Sequence, residues 1–146
     1  MLHPGPIFNL ERRKHMRKET ITYTDYNGNE RTEDFYFNYS VAELGRMQLT
    51  SGGLEDKLRA IVAENDREKI MSTFEDIILG SYGEKSEDGK RFIKVRNGEK
   101  LSDAFKETEA YSVLFVKLLS DENALEIFMK GIIPQTDNVI PMRKQN

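Results

Sequence analysis

The chain has 146 residues, a formal net charge of −3 and no cysteine. That length suits one domain with one core, the missing thiols exclude disulfides, thiolate metal sites and cysteine nucleophiles, and the acidity argues against a general phosphate-backbone binder. Apolar residues are only 38% of the chain, which points to exposed helix faces; no apolar run approaches the ~20 residues of a membrane span and no signal-peptide core is present, so a soluble, cytoplasmic protein is expected.

Residues 1–18 begin with the breakers Pro4, Gly5 and Pro6 and continue into the basic run Arg12, Arg13, Lys14, Arg17, Lys18. They read as a disordered basic extension, with a nucleic-acid arm as the sharper alternative. Codons for Glu11-Arg12-Arg13 can resemble a purine-rich ribosome-binding site, which makes Met16 a candidate natural start. Residues 19–133 are expected to form a single domain and 134–146 a flexible tail.

A β-hairpin is predicted over 19–39, built from Ile21, Tyr23, Phe35, Phe37 and their β-branched and aromatic neighbours around Asn27-Gly28. A two-residue loop would pair odd positions with even ones. A three-residue loop, Tyr26-Asn27-Gly28 with Gly28 closing a G1 bulge, pairs odd with odd and puts Ile21, Tyr23, Phe35 and Phe37 on one face; it is preferred. Ser40 and Glu43 have the spacing of a capping box for a helix over 41–49. Leu54, Leu58, Ile61 and Val62 repeat at helical spacing to about residue 64. Asp66 caps a third helix whose stripe is Ile70, Met71, Phe74, Ile77, Ile78 and Tyr82, stopped by Gly83. Residues 84–100 read as a charged loop with an extended piece at 91–95. Ser102 is expected to cap one long helix to about residue 119, and Asp121 to start a last helix ending at Gly131. The fold class expected is α+β, predominantly helical, with the N-terminal hairpin packed on four to five α-helices.

No constellation in this sequence carries chemistry. The only histidines, His3 and His15, lie in the N-terminal extension, so neither a Ser-His pair nor a histidine metal site is supported. Aligning Gly89 to the glycine of a calcium loop puts Val95 where a bidentate Glu must sit, and Gly52-Gly53 lacks the Lys-Ser/Thr of a phosphate loop. The pairs Glu55/Asp56, Glu75/Asp76 and Glu107/Glu109 fall on polar helix faces. The aromatic cluster of Phe35, Tyr36, Phe37 and Tyr39 has acidic neighbours and reads as core rather than as a base-stacking platform. The apolar stretch 113–116 suits core or a face for another helix. No catalytic, cofactor-binding or metal-binding residue is assigned, and an enzyme is the least favoured class.

The run Ile21-Thr-Tyr-Thr-Asp-Tyr-Asn-Gly-Asn-Glu-Arg-Thr-Glu-Asp-Phe-Tyr-Phe-Asn38, followed by Glu43-Leu44, resembles the tail assembly chaperones of long-tailed, siphophage-type bacteriophages. So do Ser81-Tyr-Gly-Glu-Lys-Ser-Glu-Asp-Gly-Lys-Arg-Phe92, Phe105 with Thr108-Glu-Ala-Tyr-Ser112, and Gly131-Ile-Ile-Pro134, in collinear order over residues 16–134. The resemblance implies a non-catalytic protein of the host bacterial cytoplasm that binds the tape measure protein, keeps it soluble while tail-tube subunits assemble, and is absent from the mature virion. It also implies tail-tube protein as a second partner, through a longer product of a frameshift in the region 133–146. The face expected to meet the partner is Leu114, Phe115, Leu118, Phe128 and Ile132, with self-association on the same apolar faces as a further expectation; no membrane or nucleic-acid partner is expected. Two alternatives remain: a structural tail or head-tail joining component, and a small regulatory nucleic-acid-binding protein using residues 12–18.

Overall fold

The computed structural model of the chain describes residues 16–51 and 53–134. The expectations for residues 1–15 and 135–146 lie outside that range. The chain is a mixed α+β protein, running β1 (Arg17–Thr24), β2 (Glu30–Phe37), α1 (Val41–Ser51), α2 (Leu54–Glu64), α3 (Arg67–Ser81), β3 (Tyr82–Lys85), β4 (Phe92–Ile93), β5 (Val95–Arg96), β6 (Glu99–Lys100), α4 (Leu101–Lys106), α5 (Glu109–Ser120) and α6 (Glu122–Gly131). Strands β1 to β4 form one antiparallel sheet in sequence order, and β5–β6 a separate small ladder.

The hairpin has the bulged register. Ile21 lies opposite Glu33, Tyr23 opposite Arg31 and Glu19 opposite Phe35, odd with odd throughout. Gly28 takes φ +84°, the left-handed geometry a G1 bulge requires, and its N–H donates to the Asp25 carbonyl at 3.0 Å. Arg31 pairs with the Asp25 carboxylate at 2.6 Å, and the Asn29 and Asn27 N–H groups donate to it; together these hold it below the usual carboxylate range. Strand β1 begins at Arg17, so Arg17 and Lys18 belong to the sheet rather than to the basic extension in which the sequence placed them.

The caps written in the sequence form. The Ser40 N–H donates to Glu43 Oε1 at 2.8 Å and the Glu43 N–H donates back to Ser40 Oγ at 3.1 Å. Asp66 caps α3 and Asp121 caps α6, each accepting from two backbone N–H groups.

Three expectations are corrected. The long helix after Ser102 is two helices, because the Thr108 side chain accepts from the Tyr111 N–H and starts α5 afresh, while α4 begins at Leu101 without a side-chain cap. The segment 84–100 contributes β3, β4 and the β5–β6 ladder, which turns at the left-handed pair Asn97-Gly98. Gly83 does not stop α3: the helix ends at Ser81, and Gly83 sits in β3, opposite Tyr36. A Cβ at Gly83 would lie 2.8 Å from the Ile93 carbonyl and 2.7 Å from the Phe92 ring, so glycine lets β3 and β4 approach. With strands beyond the hairpin, the predominantly helical description is too simple.

The core lies between the inner face of the hairpin and helices α4 to α6. Phe37 is its centre, with ring centroids 5.6 Å from Tyr82, 5.8 Å from Phe105 and 5.2 Å from Phe128. Tyr82 stacks on Phe105 at 4.2 Å, and burial pushes its hydroxyl up to about 12, aided by the charges of Glu84 and Glu33. Helix α5 runs antiparallel along β1. It is tied at one end by the Tyr26 hydroxyl donating to Glu109 and at the other by Lys117 reaching Glu19.

Candidate interaction surfaces

The five residues expected at the partner face sit mostly in this core. Leu114 and Leu118 are 1% exposed, and Phe128 and Ile132 are fully buried. Phe115 alone is half-buried, packed beside Tyr111 at 5.5 Å. The outer side of α5 presents Val113 and Val116 instead, and α6 presents Ile127. Helical spacing marks which residues share a face, and it does not say which of two apolar faces the fold covers; the segment 113–118 has apolar residues on both.

Helices α2 and α3 show the opposite treatment. A turn at Asn65-Asp66, with Asn65 left-handed, joins α2 to α3, and the two helices touch. Leu54, Ile77 and Ile78 are buried, and Leu58 packs on the core. Ile61, Ile70 and Phe74 are half-buried without joining that core, and Val62 and Met71 are 52% and 45% exposed. Both helices thus keep an apolar strip at or near the surface beside the turn, where Lys57, Arg59, Glu64, Glu68 and Lys69 are also exposed. The sequence marked these residues as helical stripes, and helical spacing alone does not say which part of a stripe the fold covers.

Two polar clusters hold elements together. Lys94 donates to both Glu43 carboxylate oxygens at 2.9 Å and to the Gly80 carbonyl at 2.8 Å, and lies over the Tyr39 ring at 4.7 Å. Burial lowers the Lys94 ammonium below the usual lysine range, against the pull of Glu43. The Tyr39 hydroxyl in turn donates to the Ile77 carbonyl at 2.8 Å, and burial followed by the Glu43 and Asp76 charges raises it. This cluster fixes the start of α1 and the end of α3 to the β4–β5 link. The second cluster surrounds Glu19, a carboxylate 4% exposed on the inner face of β1, held by Arg17 at 2.7 Å and Lys117 at 3.3 Å. On the other side of the core, the Tyr111 hydroxyl donates to Glu75 at 2.7 Å, joining α5 to α3; burial first, then Glu75, raises it.

Two open clefts flank Tyr82. One, of about 450 Å³, lies between α3, the β4–β5 link and α4, and is lined by Asp76, Lys94, Lys100, Asp103 and Lys106 among others. The other, of about 480 Å³, lies between the diverging strands β2 and β3, with Glu33, Asp34, Tyr36, Glu84 and Lys85 on its walls. Among the described residues no group of three His, Cys, Asp or Glu side chains is placed to share a metal ion, and no helix is long and apolar enough to cross a membrane. The polar clusters join one element to another, and what the surface offers is apolar strips and open edges.

Comparison with known families agrees in kind. The family profile described as phage tail assembly chaperone matches residues 16–139, and the chain belongs to that family. The match covers the hairpin, all six helices and the family resemblance read from the sequence. Neither the curated proteins nor the solved structures contain a match to this chain.

Proposed function

We propose that this phage tail assembly chaperone binds the tape measure protein, keeps it soluble and helps recruit tail-tube subunits during tail morphogenesis. It acts in the host bacterial cytoplasm, without catalysis, and is left out of the finished particle. The observation that carries this reading is the α2–α3 strip of Ile61, Val62, Ile70, Met71 and Phe74. A chaperone of a long amphipathic helix must cover apolar stripes and later release them, and an apolar strip with exposed charges nearby suits that task. The four core residues Leu114, Leu118, Phe128 and Ile132 shape the body that presents the strip, and Phe115 with Val113 and Val116 offers a second, smaller apolar area.

Co-expression with the tape measure protein tests this. The native chain is expected to bring that protein into the soluble fraction, the double variant Val62→Asp/Met71→Asp to lose most of this effect while keeping its own circular dichroism, and mass spectrometry of purified particles to find no chaperone. Loss with Phe115→Asp alone, at preserved fold, would move the contact to α5. Undiminished solubilisation by both variants would defeat the reading, and the chain's presence in particles would favour a structural tail component.

A further inference from the structure

The edge of β2 that faces β3 is open over most of its length. The two strands pair only at Tyr36 with Gly83 and Phe37 with Tyr82. Beyond Gly83 the partner swings away to pair with β4, Glu84 opposite Ile93 and Lys85 opposite Phe92, leaving the cleft between them. In an antiparallel ladder, alternate residues turn their N–H and C=O to opposite neighbours. The Asn38 N–H donates to the Ser81 carbonyl, so the even positions of this strand face β3. Thr32 and Asp34 therefore direct backbone N–H and C=O into the cleft, with no strand partner among the described residues. The odd positions Arg31, Glu33 and Phe35 are turned to β1.

The side chains along this edge are not neutral. Glu30, Thr32 and Asp34 stand exposed on the outer face, and Asp34 accepts from the Thr20 hydroxyl at 2.6 Å. Across the cleft Glu84 adds a further carboxylate and Lys85 one ammonium, the former paired with Arg96 and the latter over the Tyr36 ring. On the inner face the half-buried Phe35 is the apolar neighbour. A second copy of the chain is a poor occupant: antiparallel pairing of two such edges about Thr32 sets Asp34 against Glu30, like charge against like.

We propose that the open edge of β2 takes up an extended segment of a partner polypeptide by strand addition, a segment in which Lys or Arg alternates with apolar residues. Its backbone pairs with Thr32 and Asp34, its cations meet Glu30 and Asp34 on the outer face, and its apolar side chains cover Phe35 on the inner one. This mode is independent of helix binding on the α2–α3 strip, and lets one molecule hold a helix and a strand at separate places.

The test uses the full chain and short synthetic peptides in which Lys alternates with Val. Amide hydrogen exchange is followed residue by residue. On peptide addition, exchange at the Thr32 and Asp34 amides is expected to slow by at least about tenfold, while Arg31, Glu33 and Phe35, bonded to β1 already, change little. The double variant Glu30→Lys/Asp34→Lys should bind this peptide roughly tenfold more weakly and gain affinity for one alternating Glu with Val. A peptide N-methylated at alternate amides should bind no better than its scrambled isomer. Binding without slowed exchange at Thr32 and Asp34, equal binding by the N-methylated peptide, or dimerisation of the free chain through this edge would overturn the proposal.

Discussion

The α4–α6 side of the molecule and the α2–α3 side both carry apolar helix stripes and use them differently. On the first, Phe37, Phe105, Leu114, Leu118, Phe128 and Ile132 converge on one another and leave the surface almost entirely. On the second, Ile61, Val62, Ile70, Met71 and Phe74 stay half in water. The first arrangement resists opening, and the second leaves apolar side chains in contact with water. An apolar stripe in sequence therefore announces burial only when another element of the same chain is there to meet it. Helices α4 to α6 have the hairpin as that element; the tip of α2–α3 has none among the described residues.

Stability measurements can break or sharpen this contrast. The largest effect is expected at the centre of the first region: Phe37→Ala removes a fully buried ring in contact with three others, and should cost about 3–5 kcal/mol in urea unfolding. Next comes the polar cluster that ties α1 and the end of α3 to the β4–β5 link. Lys94→Met leaves Glu43 and the Gly80 carbonyl without their shared donor and should cost about 1–3 kcal/mol, with amide exchange quickening in α1 before the sheet. Within the first region, Thr108→Ala removes the cap that begins α5 and should cost about 1 kcal/mol, read as a lowered unfolding midpoint. The smallest effect is expected at the α2–α3 tip, where Met71→Ala should change stability by no more than about 0.5 kcal/mol. A Met71→Ala cost approaching that of Phe37→Ala would mean that the tip is core after all, and the distinction between the regions would collapse.

What the sequence made legible follows the range over which each signal acts. Ser40 with Glu43, Asp66 and Asp121 are local chemistry: each needs only backbone N–H groups two or three residues on, and each caps its helix as read. The odd-with-odd register was readable because Gly28 and the four aromatic and aliphatic residues around it agree on one face. The break at Thr108 was hidden because Leu101 with Phe105, and Tyr111 with Leu114, Phe115 and Leu118, each keep helical spacing on their own side of it. The extended piece expected at 91–95 contains β4 and the start of β5, whereas β3 and β6 were hidden because such short, mostly charged ladders have no period to detect. Which side of α5 lies outward was the least legible part, since whether Leu114 or Val116 is covered is decided by β1, nearly a hundred residues away in the chain.

The ion pair between Glu19 and Lys117 closes a span of 98 residues. A ribosome delivers the carboxylate long before it delivers the ammonium that meets it, and α6, which completes the wall against Phe37, arrives later still. The first strands must therefore wait, with their greasy side uncovered, until the chain is nearly finished. A nascent product cut short before α5 would carry the hairpin without its cover and be a target for proteolysis, which makes full-length synthesis itself the step that releases a competent molecule.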